Sequence, residues 1–171
     1  EVPTVARAAD IEWVAITDHD RVHPGVDAPV VDVDGVRIVR GIELRVDAGF
    51  ERLDLLGYAV GHADAFAELI GDDDPCYVAR EVTPLDAGLG LLDDACAFVA
   101  LAHPFRYDDV DAALNVARES AAIDAVERFY PYGRPVDTDR IDRLAETEGL
   151  LMTGGTDAHE RTLGEAGLTR S

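Results

Sequence analysis

The chain is 171 residues long, 47% hydrophobic, and carries 35 acidic against 15 basic residues, a net charge of −20 in which every basic residue is arginine. A field of that sign repels phosphate backbones and excludes a nonspecific nucleic-acid binder, and the apolar runs are far shorter than the roughly 20 residues that cross a bilayer. Cys76 and Cys96 stand far apart without a CxxC pair, which excludes a zinc knuckle or a disulfide framework. The expectation is a single cytoplasmic domain over residues 1–171 with no membrane contact. Carboxylates spread evenly from Asp10 to Glu165 suit a solvated surface in a salt-rich, halophilic cytoplasm.

In chain order, Pro3 suits a first helical turn, and a helix is expected over residues 3–10. A strand follows over 13–17 and stops at Asp18-His19-Asp20. Residues 30–39 alternate around Asp34-Gly35, which predicts a hairpin running into Gly41-Ile42-Glu43. A strand over 53–59 and a helix over 63–70 come next, then a loop at Gly71-Asp72-Asp73-Asp74-Pro75. Residues 76–97 show no decisive period. Beyond them the pattern gives a strand over 98–102, a turn at His103-Pro104, a helix over 110–120 and a strand over 125–129. A helix over 138–148 then ends at Gly149 and hands over to a strand at 150–153. Short β-branched runs alternating with amphipathic segments are the signature of an α/β protein.

His19, His103 and Asp157 each fall just beyond an apolar strand, where barrel and open α/β enzymes collect groups from distant parts of the chain. Glu43 and His159 complete a set of three imidazoles and two carboxylates. Mixed nitrogen and oxygen donors suit manganese, iron or zinc better than calcium or magnesium. Taken singly, each residue reads as a cap or a solvated side chain. Three histidines in compact polar turns, with two carboxylates, point to one metal centre.

The segments Ala15-Ile16-Thr17-Asp18-His19-Asp20, Gly41-Ile42-Glu43, Leu55-Leu56-Gly57-Tyr58, Leu101-Ala102-His103-Pro104 and Gly154-Gly155-Thr156-Asp157-Ala158-His159 resemble, in order, the motifs of the PHP (polymerase and histidinol phosphatase) family. The resemblance implies a distorted seven-stranded (β/α) barrel and a metal-dependent phosphoesterase using two or three divalent metal ions, with manganese, iron or zinc expected and magnesium compatible. It implies that Glu43 bridges two metals, that Asp157 binds the first and His103 the second, and that His19 and His159 bind the third. Asp18 is then expected to orient an imidazole through its other ring nitrogen.

Two departures from the family pattern matter. The family opens on a strand carrying His-x-His, and no histidine precedes Ala15 here. The first strand is therefore expected to be missing, leaving a barrel edge exposed. Asp54 stands where the family commonly has a histidine ligand; aspartate still coordinates, and it hardens the site toward manganese or magnesium.

Arg106, in His103-Pro104-Phe105-Arg106-Tyr107, resembles the arginine of His-Pro-x-Arg-Tyr in PHP nucleotide phosphoesterases, and a guanidinium there grips phosphate bidentately. Arg161 is a second candidate substrate-binding residue, weighed against a surface salt bridge. Tyr130 and Tyr132, which follow another strand end, are expected to pack under a loop, with lining of the pocket as the alternative; Glu127 is expected to serve structure, and His23 and His62 to lie on the surface. The expected reaction is hydrolysis of a phosphate ester by a metal-activated water, with Glu43, Asp157 and Arg106 as catalytic residues. Its partner is a small phosphorylated substrate (a phosphomonoester, nucleotide or short oligonucleotide), with no stable nucleic-acid complex. Two alternatives are another metal-dependent hydrolase such as an amidohydrolase, and a non-catalytic metal-binding remnant.

Overall fold

The computed structural model describes residues 1–69, 82–159 and 162–168. The loop expected at 71–75 lies outside the described residues. The fold is mixed α/β: a curled, half-barrel sheet with four helices among the described residues.

Helix α1 (Val2–Ala8) leads into β1 (Trp13–Ile16), and the hairpin of β2 (Val30–Val33) and β3 (Val36–Asp47) turns at Asp34-Gly35 as the alternation predicts. β4 (Arg52–Tyr58) returns antiparallel to the second half of β3. After β5 (Thr83–Pro84) and α2 (Leu85–Ala95), the chain alternates β6 (Phe98–Leu101), α3 (Val110–Glu119), β7 (Ala125–Phe129), α4 (Asp139–Glu148) and β8 (Leu151–Gly154). The main path of the sheet runs β1-β3-β4-β6-β7-β8, with β2 and β5 alongside β3. β1 is parallel to β3, β4 is antiparallel to both its neighbours, and β6, β7 and β8 are parallel.

The alternation of side chains along each strand separates two faces. Ile42, Leu44, Val46, Leu53, Leu55, Val99, Leu101 and Val126 form one face, which joins Leu89 and Leu92 of α2, Leu114 of α3 and Ile141 of α4 in the largest apolar cluster. The opposite face holds a small cluster of Leu56, Ala100, Ala102 and Ala125, and carries Glu43 and Asp54 among its polar members. Helices thus cover one side of the sheet, and the other side is left to form a site.

Two expectations are revised. Of the helix expected over 63–70, the described residues 63–69 hold a single 3-10 turn, Ala63–Phe66, whose only buried residue is Phe66; one anchor is too little to hold a longer amphipathic helix. The undecided stretch 76–97 contains α2, whose sequence has two glycines and three aspartates, all weak helix formers. Burial of Leu89 and Leu92 overrides that propensity. Gly88 is required by packing, since a Cβ there would approach Val46 Cγ1 to 2.4 Å.

Among the described residues β1 pairs only with β3 and β8 only with β7, so the sheet ends on two open edges. Trp13 on β1 and Leu151 on β8 are 54% and 61% exposed there, as expected of a barrel that is partial rather than closed. Among the described residues the main path of the sheet holds six strands, and β2 and β5 add short pairings to β3 beside it.

Candidate metal centre

Gly41 sits midway along β3, where a Cβ would meet Thr17 Cγ2 at 2.6 Å and the Ile16 carbonyl oxygen at 3.1 Å. Its absence lets the chain beyond β1 continue alongside β3. The Glu43 N–H donates to the Asp18 carbonyl at 3.1 Å, the Asp20 N–H donates to the Glu43 carbonyl at 2.8 Å, and His19 bridges to Glu43. The strand end that carries His19 is therefore fastened beside Glu43 by backbone bonds.

Asp54 comes from the neighbouring strand β4, in register with Arg45. His103 follows β6, which pairs with β4 on its other side. Ala102 N–H donates to the Asp54 carbonyl at 3.0 Å, and the His103 N–H donates to Glu127 Oε2 on β7 at 2.8 Å. His103 has φ 25°, a strained backbone for a residue with a Cβ, and the Glu127 contact holds it there.

Glu43, Asp54 and His103 are all buried, and one donor atom of each lies within 4.8 Å of the others. His103 Nε2 is 3.1 Å from Glu43 Oε1 and 3.7 Å from Asp54 Oδ2. His19 Nδ1 faces the other oxygen of Glu43, Oε2, at 3.7 Å. That separation is too long for a hydrogen bond, and the buried Nδ1 atom has no hydrogen-bond partner. A buried imidazole nitrogen without a partner is costly, and a cation there would satisfy it. The donor set of two carboxylates and two imidazoles fits a divalent transition metal.

The remaining residues close a ring around this triad. The His19 ring lies 5.9 Å from that of His159, whose Nδ1 is 3.0 Å from the Asp157 carbonyl oxygen. Asp157 Oδ2 accepts from Tyr130 Oη at 2.8 Å and from Arg106 Nη1 at 3.2 Å. The Tyr130 ring in turn stands edge-on to His103, 5.2 Å between centroids. Residues 43 and 157 thus belong to one connected cluster with imidazoles between them. Arg161 lies outside the described residues.

Burial works against a charged His103, but the hydrogen bond and charge of Glu43, with Asp54 and Glu127 behind it, outweigh burial and raise its pKa. Burial pushes the Glu127 carboxyl up to about 7, against the opposing pull of the His103 N–H. Tyr130 is pushed up to about 12, first by burial and then by its bond to Asp157, so its hydroxyl stays a donor.

Several expectations change at this level. Asp18 does not orient an imidazole: its carboxylate faces Arg21 Nη2 at 3.3 Å. Tyr130 is part of the site instead of loop packing, whereas Tyr132 does pack edge-on against Phe105. Asp54 keeps its place as a candidate ligand, 8% exposed and aimed at His103. His62 is exposed and His23 half-buried, its Nδ1 accepting from the Gly25 N–H.

Sequence reasoning missed Arg45, which forks Asp54 with Nε to Oδ1 at 2.8 Å and Nη2 to Oδ2 at 3.1 Å. Its spacing of two from Glu43 on a strand was a usable signal, since such residues share a face. It also missed Tyr107, whose hydroxyl accepts from the Asp54 N–H at 2.9 Å, and Asp20, fully buried, whose Oδ1 accepts from the Arg45 N–H at 2.9 Å.

No family model and no curated protein matches the chain. Among solved structures it is similar to an amidohydrolase from Chromobacterium violaceum with sulfate bound and no metal (TM-score 0.71, 16% identity, covering 97% of this chain and 84% of that one). It is also similar to a protein from Bifidobacterium adolescentis assigned as a metal-dependent phosphoesterase (TM-score 0.61, 17% identity, 95% and 85% covered). PsfC from Pseudomonas syringae is more distant in shape, with a TM-score of 0.51 at 19% identity and 92% and 66% covered. At these identities the likeness shows a shared fold, with the candidate centre on the sheet face that the helices leave open.

Proposed function

We propose that the chain is a metal-dependent phosphoesterase of the PHP type, acting on a small phosphorylated substrate, with its centre at Glu43, Asp54, His103, His19, Asp157 and His159. The observation that carries the reading is Glu43, buried with an imidazole at each of its two oxygens, at 3.1 and 3.7 Å. A carboxylate so flanked is suited to sharing two cations. The ordered likeness of five segments to PHP motifs supports the reading, as does the B. adolescentis neighbour.

In this reading Glu43, Asp54 and His103 hold one divalent ion, with Asp157, His19 and His159 providing for others among manganese, iron, zinc or magnesium. Such ions supply Lewis acidity, lowering the pKa of water and offsetting charge on a phosphoryl group. The side chains have their own tasks. Arg106, with a side chain 54% exposed, bonds Tyr130 and Asp157 through Nη1, which leaves Nε and Nη2 to meet a substrate anion. Tyr130 keeps its proton and fixes Asp157. Leu56, in register with Glu43, forms with Ala100 and Ala102 a small apolar cluster on the triad's own face of the sheet.

A salt-rich cytosolic setting is part of the same proposal. No helix among the described residues is long and apolar enough to cross a membrane. Metal-dependent amide hydrolysis is the second reading, drawn from the C. violaceum neighbour; Arg106 beside the centre favours a phosphate.

The test is metal analysis of the purified protein, followed by phosphate release from phosphomonoesters with manganese in high salt. Glu43→Gln and Asp157→Asn should each lower release by about two orders of magnitude or more while remaining folded. Activity surviving in both variants refutes the assignment of the site.

A further inference from the structure

We infer that Arg45 is a positioning residue that competes with the cation for Asp54, and so sets how tightly the centre binds metal. The inference rests on the metal-centre reading above and deepens it. Three observations lead to it. The guanidinium meets Asp54 side-on through two hydrogen bonds of 2.8 and 3.1 Å, engaging both carboxylate oxygens. The same Oδ2 that accepts from Arg45 Nη2 is the atom facing His103 Nε2 at 3.7 Å, on the side of the triad. The ion pair is also built in from both strands: β3 and β4 put Arg45 and Asp54 in register, the Arg45 N–H is held by buried Asp20 Oδ1, and the Asp54 N–H by Tyr107 Oη.

A carboxylate forked by arginine has lone pairs left for a cation, but its negative charge is already shared. A fixed positive charge a few ångströms from the donor atom also opposes a second cation, and in a partly buried site that opposition is screened far less than in water. Arg45 therefore aims Asp54 and weakens it at once. When an ion binds, the Arg45–Asp54 hydrogen bonds should lengthen, because the ion and the guanidinium draw on the same oxygens. The pair gives the centre moderate affinity and favours ions that tolerate a weak, hard oxygen donor.

Manganese binding to the full chain by titration calorimetry tests this, with Arg45→Gln and Arg45→Lys compared with the unaltered protein. Arg45→Gln should bind manganese roughly tenfold more tightly or better, and Arg45→Lys, which keeps the charge but loses the fork, should fall between. Equal or weaker binding by a folded Arg45→Gln overturns the inference. Should that variant fail to fold, the unaltered protein decides: the Arg45 Nε–H resonance, assigned by its loss in Arg45→Lys, should shift on titration with zinc or magnesium. A resonance unmoved at saturation overturns the inference, while absence of cation binding by the unaltered protein overturns the metal-centre reading itself.

Discussion

Removing a single hydroxyl, in Tyr107→Phe, tests how Asp54 is held. Tyr107 is 9% exposed, and its Oη accepts from the Asp54 N–H at 2.9 Å and donates to the Asp54 carbonyl at 3.3 Å. The carbonyl keeps a second donor, Ala102 N–H at 3.0 Å, so its loss is minor. The N–H is left facing an aromatic edge, and a buried donor without a partner costs about 1–3 kcal/mol. Tyr132→Phe is the control. Its hydroxyl accepts from the Phe105 N–H at 3.4 Å, at the limit of a hydrogen bond, and the residue is only half-buried. That change should cost about 0.5 kcal/mol or less. Equilibrium urea denaturation of both variants gives the difference directly, and thermal melts should show roughly 2–4 °C lost per kcal/mol for a domain of this size. Equal destabilisation of the two, or a loss below 0.5 kcal/mol for Tyr107→Phe, would refute the role assigned to the Asp54 N–H.

Other outcomes can be checked on the same material. Gly57→Ala places a Cβ 2.6 Å from Cys96 Sγ and 2.8 Å from Leu92 Cδ2, and should cost about 1–3 kcal/mol in a denaturation curve. Gly90→Ala, on the exposed side of α2 with nothing within 4 Å, should instead stabilise by about 0.5–1 kcal/mol. Burial pushes the Cys96 thiol up to about 11, so in a Cys76→Ser background alkylation at pH 8 should be slow and rise about tenfold per pH unit until pH 11. Because the folded value lies above the ordinary thiol value of 9.0, the contribution of Cys96 to stability is full below pH 9 and is lost as pH rises toward 11. Arg106→Met should raise KM for a phosphomonoester roughly tenfold or more, with a smaller effect on manganese affinity than Arg45→Gln has.

What the sequence disclosed and what it hid divide along a physical line. Local signals survive into the fold: the Asp34-Gly35 turn, the stop of α4 at Gly149 with φ 72°, and polar residues placed just past apolar strands all depend on neighbours in the chain. His19 and His103 were legible because a strand end is a local feature, whereas Glu43 lies inside β3 and was legible through the Gly41-Ile42-Glu43 segment. The Arg45–Asp54 pair was not, since it exists only through the register of two strands, and Tyr107 reaches Asp54 across 53 positions of sequence. Helix α2 was hidden because its two glycines and three aspartates offset its four leucines and two alanines, and burial of Leu89 and Leu92 against the sheet decides for the helix.

The partners of the site carboxylates also explain how a chain of net charge −20 gathers three of them in one place. Each is held by nitrogen: Glu43 by His103 with His19 near, Asp54 by Arg45, and Asp157 by Arg106 together with the Tyr130 hydroxyl. The two arginines are not equivalent. The Arg45 side chain is 30% exposed and makes a two-pronged contact, whereas that of Arg106 is 54% exposed and touches Asp157 through one nitrogen at 3.2 Å. Water screens the outer pair, so in the proposed reading Arg106 gives up little besides its 2.9 Å hydrogen bond to Tyr130 Oη when it turns from Asp157 to an incoming anion. The inner pair is dearer to break, because a buried carboxylate stripped of its partner keeps the full desolvation penalty. Only a charge placed against the same oxygens can replace Arg45. In the proposed reading the inner arginine therefore bears on the cation and the outer one on the substrate, a division that follows from their depths.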